Sequence, residues 1–220
     1  MARTALVAGA SGLVGGHVLR LLLGSAAYDR VTVLVRRELP LAHKKLTQRV
    51  IDFDRLAEVG DFPRVDDVFC CLGTTIKRAG SQHAFRKVDS TYVVELARIA
   101  GRHRARQFLV VTAVGADPAS RVFYSRVKGE TEAALRRLSF DALLLFRPSF
   151  LLGVRPERRL AESLAAALAP LVTWTLVGPL ARYRPIEAET VARAMVRAAG
   201  EAPRGAHVYE SNEIRRLAAA

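Results

Sequence analysis

Cysteine is nearly absent from this chain of 220 residues: there are two, and they are neighbours, Cys70 and Cys71. Consecutive Cα atoms lie about 3.8 Å apart, closer than an unstrained disulfide wants. Two thiols without partners fit a reducing compartment, and the expectation is the cytoplasm. No histidine, cysteine or acidic residues fall at metal-ligand spacing, so no metal is expected. Long apolar runs are missing as well. The stretch from Val14 to Gly24 is broken by His17 and Arg20, and it is shorter than the roughly 20 residues a membrane helix needs. A signal-peptide reading of Arg3 and the residues after it is set aside, because cleavage near Gly9 or Gly24 would destroy the glycine loop between them. Repeats, low-complexity tracts and linker-like segments are also lacking.

Acidic residues are in short supply. There are 34 lysines and arginines against 21 acidic residues, a net charge of +13. Such a charge suggests nucleic acid. The arginines are dispersed, however, as in Arg102-His103-Arg104-Ala105-Arg106, Arg136-Arg137, Arg158-Arg159 and Arg215-Arg216. They also fall near helix ends, where cations favour the dipole. No helix-turn-helix, zinc finger or aromatic-basic signature accompanies them, so the charge reads as a solvated surface with no specific nucleic-acid partner.

What the chain does have is a hydrophobic half, enough for a substantial core, and the stretch Gly9-Ala10-Ser11-Gly12-Leu13-Val14-Gly15. An apolar run, Thr4 to Ala8, precedes it, and Val14, Val18, Leu21 and Leu22 follow at helical spacing. A strand that feeds a glycine turn into a helix is the context of a dinucleotide-phosphate site. Gly9 permits a tight turn, Gly12 lets the backbone approach a pyrophosphate, and Gly15 brings the helix close to the sheet. The helix N-terminus then offers unpaired N–H groups to the anion.

Strands read at Thr4–Ala8, Val31–Val35, Arg49–Phe53, Asp67–Leu72, Gln107–Thr112 and Ala142–Arg147; helices read at Leu13–Leu23, Phe85–Ala100 and Tyr124–Leu138. Alternation of near-continuous apolar strands with helices predicts an α/β fold, a doubly wound parallel sheet of Rossmann type. The whole chain, residues 1–220, reads as a single NAD(P)-binding domain in which residues 148–220 supply a substrate cap and the last helix and strand. The cap comprises an alanine/leucine helix at Leu160–Ala169, an irregular aromatic part with Trp174 and Tyr183, a helix at Ala188–Ala199 and a short strand at Val208–Glu210.

Candidate chemistry sits at the carboxyl ends of these strands. The second ends Val35-Arg36-Arg37, where an enzyme for the unphosphorylated cofactor would place a carboxylate; Arg36 lies 21 residues past Gly15. A guanidinium fork there suits a 2′-phosphate, so NADP(H) is the expected cofactor. At the third strand end, Asp52 either accepts from an adenine amino group, with Phe53 beside the ring, or caps the following turn; for Asp54 the cap is preferred. At the fourth, Gly73 lets the backbone pass under the ribose, and the cysteines read as small buried hydrophobes. Tyr124 and Lys128, at i and i+4, share one helix face. A phenol with an ammonium beside it suits proton delivery to a carbonyl oxygen, although Lys128 could equally pair with Glu132 on a solvated face. Thr112, twelve residues before Tyr124, offers a hydroxyl at the end of the fifth strand, and its expected role as third catalytic member is to orient the carbonyl.

These motifs resemble the short-chain dehydrogenase/reductase superfamily in its extended or atypical branch, and more narrowly the Tat-interacting-protein oxidoreductase family and its bacterial relatives. The resemblance is carried by the glycine loop, Arg36-Arg37, Val50 to Phe53, Cys70-Cys-Leu-Gly-Thr-Thr75, Val88-Asp89, Gly115-Ala-Asp117, Tyr124 to Glu130, Phe146-Arg-Pro148 and Pro185 to Met195. It implies a Rossmann fold and NADP(H), held by Gly9, Ser11, Gly12, Leu13, Val14, Gly15, Arg36, Arg37, Asp52, Leu72, Gly73, Tyr124 and Lys128. Backbone at Pro148 would lie near the nicotinamide, and Tyr124 and Lys128 would be the catalytic pair. Where the superfamily usually shows Ser-Ser, this chain has Thr112-Ala113, and a functional serine aligned with Ala113 would be lost. The expected function is an NADP(H)-dependent oxidoreductase, or an epimerase/dehydratase relative, acting on a small carbonyl or alcohol. The alternative is a non-catalytic NADPH-sensing interaction protein. The oligomeric state stays open, a homodimer included.

Overall fold

In the computed structural model, residues 2–59, 62–153 and 182–220 are described. Seven strands form one sheet: β1 Arg3–Ala8, β2 Tyr28–Val35, β3 Leu46–Val50, β4 Asp67–Cys70, β5 Gln107–Val111, β6 Ala142–Arg147 and β9 Gly205–Glu210. Their order is β3-β2-β1-β4-β5-β6-β9 and every pairing is parallel. Parallel neighbours need crossover connections, which lie on both faces here: α1 Leu13–Gly24, α4 Tyr92–Arg102, α5 Phe123–Leu135 and α6 Ala188–Glu201, with α7 Ser211–Ala219 following the last strand. The chain reverses its winding between β1 and β4, so the crevice at their carboxyl ends is where such a sheet takes a ligand.

The period of two along each strand divides the core. Ala5 and Val7 of β1, with Val31, Val33, Phe69, Leu109 and Leu144, face α1 and α6. Leu6 and Ala8, with Leu34, Val68, Cys70, Phe108, Val110 and Leu145, face α4 and the end of α5. Both sets are buried, and each large apolar side chain removed from water contributes about 1.5–3 kcal/mol before entropy is set against it. Alanines line the buried face of α6, which lets it lie close against α1.

The expected architecture is present, with local differences. β3 lies three residues earlier than the sequence suggests, because Asp52 already caps a 3-10 turn, Phe53–Glu58, that draws Phe53 into the core. The helix expected from Phe85 is built from α3 Gln82–Arg86, a π-helical turn Lys87–Thr91 and α4. A short α2, Ile76–Ala79, and the C-terminal α7 were not expected. After Pro148 the chain makes a two-residue parallel pairing, β7 Leu151–Leu152 with β8 Ile186–Glu187, then returns through α6 to add β9 to the main sheet. The helix expected at Leu160–Ala169 and Trp174 lie outside the described residues. Among the described residues no helix is long and apolar enough to cross a membrane.

Candidate active site

The glycine loop joins β1 to α1 at the switch point. Gly9 has φ of +86°, and a Cβ there would stand 2.4 Å from the Cys71 carbonyl oxygen, so backbone from β1 and β4 meets with no room for a side chain. A Cβ on Gly15 would lie 2.2 Å from the Gly9 carbonyl oxygen. Gly12 is the N-cap of α1 and supplies no side-chain bond to the first turn. The N–H groups of that turn are therefore left for an anion, which is what a pyrophosphate needs. Ser11 is exposed on the loop, Leu13 is half-buried, and Val14 points into the core. Val14 can therefore offer only its backbone.

Arg36 and Arg37 follow β2 and are both exposed. Asp52 is exposed too; its Oδ1 accepts from the Asp54 N–H at 2.9 Å, and it borders an open cleft of about 250 Å³ with Ile51, Arg55, Glu58 and Val59. One carboxylate oxygen caps the turn while the other remains for a ligand, so the two readings of Asp52 are compatible. Two expectations fail here. Phe53 is 7% exposed and packs against Tyr92, with ring centroids 5.7 Å apart, so its side chain is core and not a wall for adenine. Asp54 does not cap; its Oδ1 accepts from the Tyr92 hydroxyl and pairs with Lys87 Nζ at 2.6 Å.

β4 runs into Cys71, Leu72 and Gly73. Burial pushes the Cys70 thiol up to about 12, leaving it inert near neutral pH. Leu72 packs against the core, and Gly73 is exposed at the crevice.

The catalytic candidates stand on α5. Tyr124 is half-buried, its ring 5.4 Å from that of Phe85, and among the described residues its hydroxyl has no hydrogen-bond partner. Lys128 lies one turn further on, nearly fully buried, with Nζ 2.7 Å from Asp89 Oδ1. Burial alone would lower the ammonium's pKa, but the Asp89 carboxylate, aided by Tyr124, outweighs it and holds the group above the ordinary lysine value. Lys128 therefore stays charged. It does not pair with Glu132, and neither residue is on a solvated face.

Glu132, itself buried, belongs to a second ionic group whose other charged members are half-buried. Arg147 at the end of β6 binds it through Nε at 2.9 Å and Nη2 at 2.5 Å and reaches Glu210 at 3.3 Å. Thr112 Oγ1 donates to Glu132 Oε1 at 2.7 Å. A threonine hydroxyl has one proton to donate, and here the carboxylate takes it. The expected role for Thr112, orienting a substrate carbonyl, is not what this geometry provides. Pro148 is buried, and its carbonyl accepts from the Val114 N–H at 3.0 Å.

Gly129 explains why glycine follows Lys128. A Cβ there would lie 2.2 Å from the Asp117 carbonyl carbon and the Pro118 nitrogen, so α5 lies directly against the loop after β5. Glu130, next along, binds Arg86 Nη1 at 2.5 Å and ties α5 to α3. Sequence reasoning gave no role to Asp89, Gly129 or the Glu132–Arg147 pair. A signal was present for Asp89: it occupies the apolar stripe Phe85, Asp89, Val93, Leu96, and it is buried like the other three.

A glycine turn against β4, an uncapped helix start, and a tyrosine and lysine on one helix at the switch point define a dinucleotide-binding protein. The chain belongs to the NAD(P)H-binding family, whose model matches residues 9–202. Among individual proteins it is similar to HTATIP2 of Rattus norvegicus, 39% identical over 167 residues, 74% of this chain and 69% of that one. It is also similar to the mitochondrial protein FMP52 of Coccidioides immitis, 31% identical over 233 residues, 99% of this chain and 94% of that one. The resemblance to the atypical branch of the short-chain dehydrogenase/reductase superfamily agrees with these findings. Two solved structures share the fold. WbmH of Bordetella bronchiseptica, in complex with NAD+, has a TM-score of 0.70 at 18% identity, with 100% of this chain and 80% of that one covered. The human epimerase family protein SDR39U1, with NADPH, has a TM-score of 0.61 at 18% identity, with 93% and 73% covered.

Proposed function

We propose that this protein is an NADP(H)-dependent oxidoreductase acting on a small carbonyl compound or alcohol. The observation that carries the proposal is the placement of Tyr124 and a charged Lys128 on one face of α5, at the same sheet edge as the glycine loop. The loop, with its Cβ-free turn and free N–H groups, suits the pyrophosphate. Arg36 and Arg37 suit the 2′-phosphate, and the free oxygen of Asp52 suits the adenine amino group. When bound, the nicotinamide supplies the hydride. Tyr124 gives its phenolic proton to the carbonyl oxygen in reduction and takes it back in the reverse direction. Lys128 binds the ribose and, by its charge, favours the phenol's loss of a proton. Free thiols at Cys70 and Cys71 suit the reducing cytoplasm we assign to it.

The test is a screen of carbonyl compounds for NADPH consumption. Tyr124→Phe removes one hydroxyl and keeps the ring, so it should leave NADPH affinity nearly intact while lowering turnover by roughly 10² to 10⁴. Equal turnover by both proteins would refute the role of Tyr124. A second reading, a non-catalytic NADPH sensor, draws its support from Thr112, whose proton is committed to Glu132, and from Ala113 beside it. NADPH binding without turnover of any carbonyl, together with altered association with a protein partner, would favour it.

A further inference from the structure

Among the described residues near the site, Asp89 is the most deeply buried carboxylate, 1% exposed, and both of its oxygens are engaged. Oδ1 meets Lys128 Nζ at 2.7 Å, and Oδ2 accepts from the Thr74 N–H at 2.8 Å. Its own carbonyl accepts from Thr131 Oγ1 at 3.3 Å, which fastens the π-helical turn Lys87–Thr91 to α5. A Cβ on Gly73 would stand 3.4 Å from Oδ1, so the loop after β4 lies against the carboxylate. Three elements thus converge on one side chain: the loop under the crevice, the π turn, and the helix that carries Tyr124. A buried ion pair is a poor device for stability alone, since two apolar residues of similar size often do as well or better. π-Helical turns also occur frequently at functional sites.

We propose that Asp89 is a positioning residue of the cofactor site, its carboxylate holding the Lys128 ammonium to the Gly73–Thr74 loop so that both meet the cofactor as one unit. This rests on the reading of Lys128 as the ribose-binding lysine. Among the described residues, the titratable groups facing Lys128 are Asp89 from the π turn, Tyr124 from its own helix and Cys70 from β4. Of these, Asp89 is the only carboxylate. Without it, burial would act on Lys128 with little to oppose it, and the ammonium would give up its proton far more readily.

The test combines a cofactor-free readout with a double-mutant cycle. In protein labelled with ¹³C at lysine Cε, the Lys128 resonance, assigned through Lys128→Met, is titrated in wild type and in Asp89→Asn. The Lys128 midpoint should fall by about two pH units or more in Asp89→Asn. NADPH affinity is then measured for wild type, Asp89→Asn, Lys128→Met and the double variant. If Asp89 acts through Lys128, Asp89→Asn weakens binding roughly tenfold with the lysine present and less than about twofold in the Lys128→Met background. A merely structural role would cost the same in both backgrounds. The double variant buries two neutral side chains, and it serves as the folded control if Asp89→Asn alone is unstable. An unmoved Lys128 midpoint, or an equal loss of affinity in both backgrounds, would overturn the proposal. Failure of wild type to bind NADPH would refute the cofactor reading instead, while the titration would still decide the Asp89–Lys128 link.

Discussion

Thr112 Oγ1 lies 2.7 Å from Glu132 Oε1, and that carboxylate also receives two bonds from Arg147. The hydroxyl at the end of β5 therefore belongs to a partly buried ionic group that joins β5, α5 and β6. It fastens α5, the helix that carries Tyr124 and Lys128, to the sheet. Thr112→Val should cost about 1.5–3 kcal/mol, the worth of a hydrogen bond to a charged group. Turnover should change by less than about tenfold, whereas loss of an oxyanion donor typically costs 10²-fold or more. Thermal melts and steady-state rates separate the outcomes. A stable variant with a large loss of turnover would restore Thr112 to the reacting centre.

Gly129 makes α5 approach the Asp117–Pro118 backbone with no room for a methyl group. Because the clash is with backbone, a shift of a flexible side chain cannot relieve it. Gly129→Ala should destabilise the fold by about 1–3 kcal/mol, a drop in Tm of roughly 2–4 °C per kcal/mol in a protein of this size. It should also weaken NADPH binding by moving Lys128. A melt and a binding curve matching wild type would show that α5 does not need this contact.

At the opposite edge of the sheet, Asp67 is buried, accepting from the Tyr28 hydroxyl at 2.6 Å and pairing with Arg3 Nη1 at 3.0 Å. Burial raises its carboxyl pKa above the ordinary 3.8, against the pull of Tyr28 and Arg3. A raised folded value means that the folded chain keeps this proton where the unfolded chain has lost it. The group's contribution to stability therefore falls as pH climbs from about 4 through the folded value. Urea melts of wild type and Asp67→Asn between pH 3 and 7 test the sign. The stability of wild type relative to the variant should decline over that rise, and an increase would contradict the assignment.

The sheet was legible because its signals are local: apolar strands in alternation with amphipathic helices, and a glycine turn in the one context that gives it meaning. Tyr124 and Lys128 were legible because both lie on one helix at a fixed spacing. Partners set by tertiary contact were not. Lys128 has Glu132 at i+4 on its own helix, yet its partner is Asp89, 39 residues earlier in the chain. The same limit applies to Asp52 and Asp54: both carboxylates suit a cap, and the distant Lys87 and Tyr92 draw Asp54 away. Phe53 was expected beside a ligand because of its position at a strand end, but the 3-10 turn rotates it into the core.

The preference for a phosphorylated cofactor is decided by titrating the purified protein with NADPH and NADH, in wild type and in Arg36→Ala/Arg37→Ala. Both arginines are exposed at the end of β2, with no carboxylate between Asp29 and Glu38. Each charge-assisted bond to a 2′-phosphate is worth about 1.5–3 kcal/mol, roughly ten- to a hundredfold in affinity. Wild type should bind NADPH at least about tenfold more tightly than NADH, and the double variant should lose this preference while keeping its NADH affinity. Equal affinities in wild type, unchanged by the two substitutions, would contradict it.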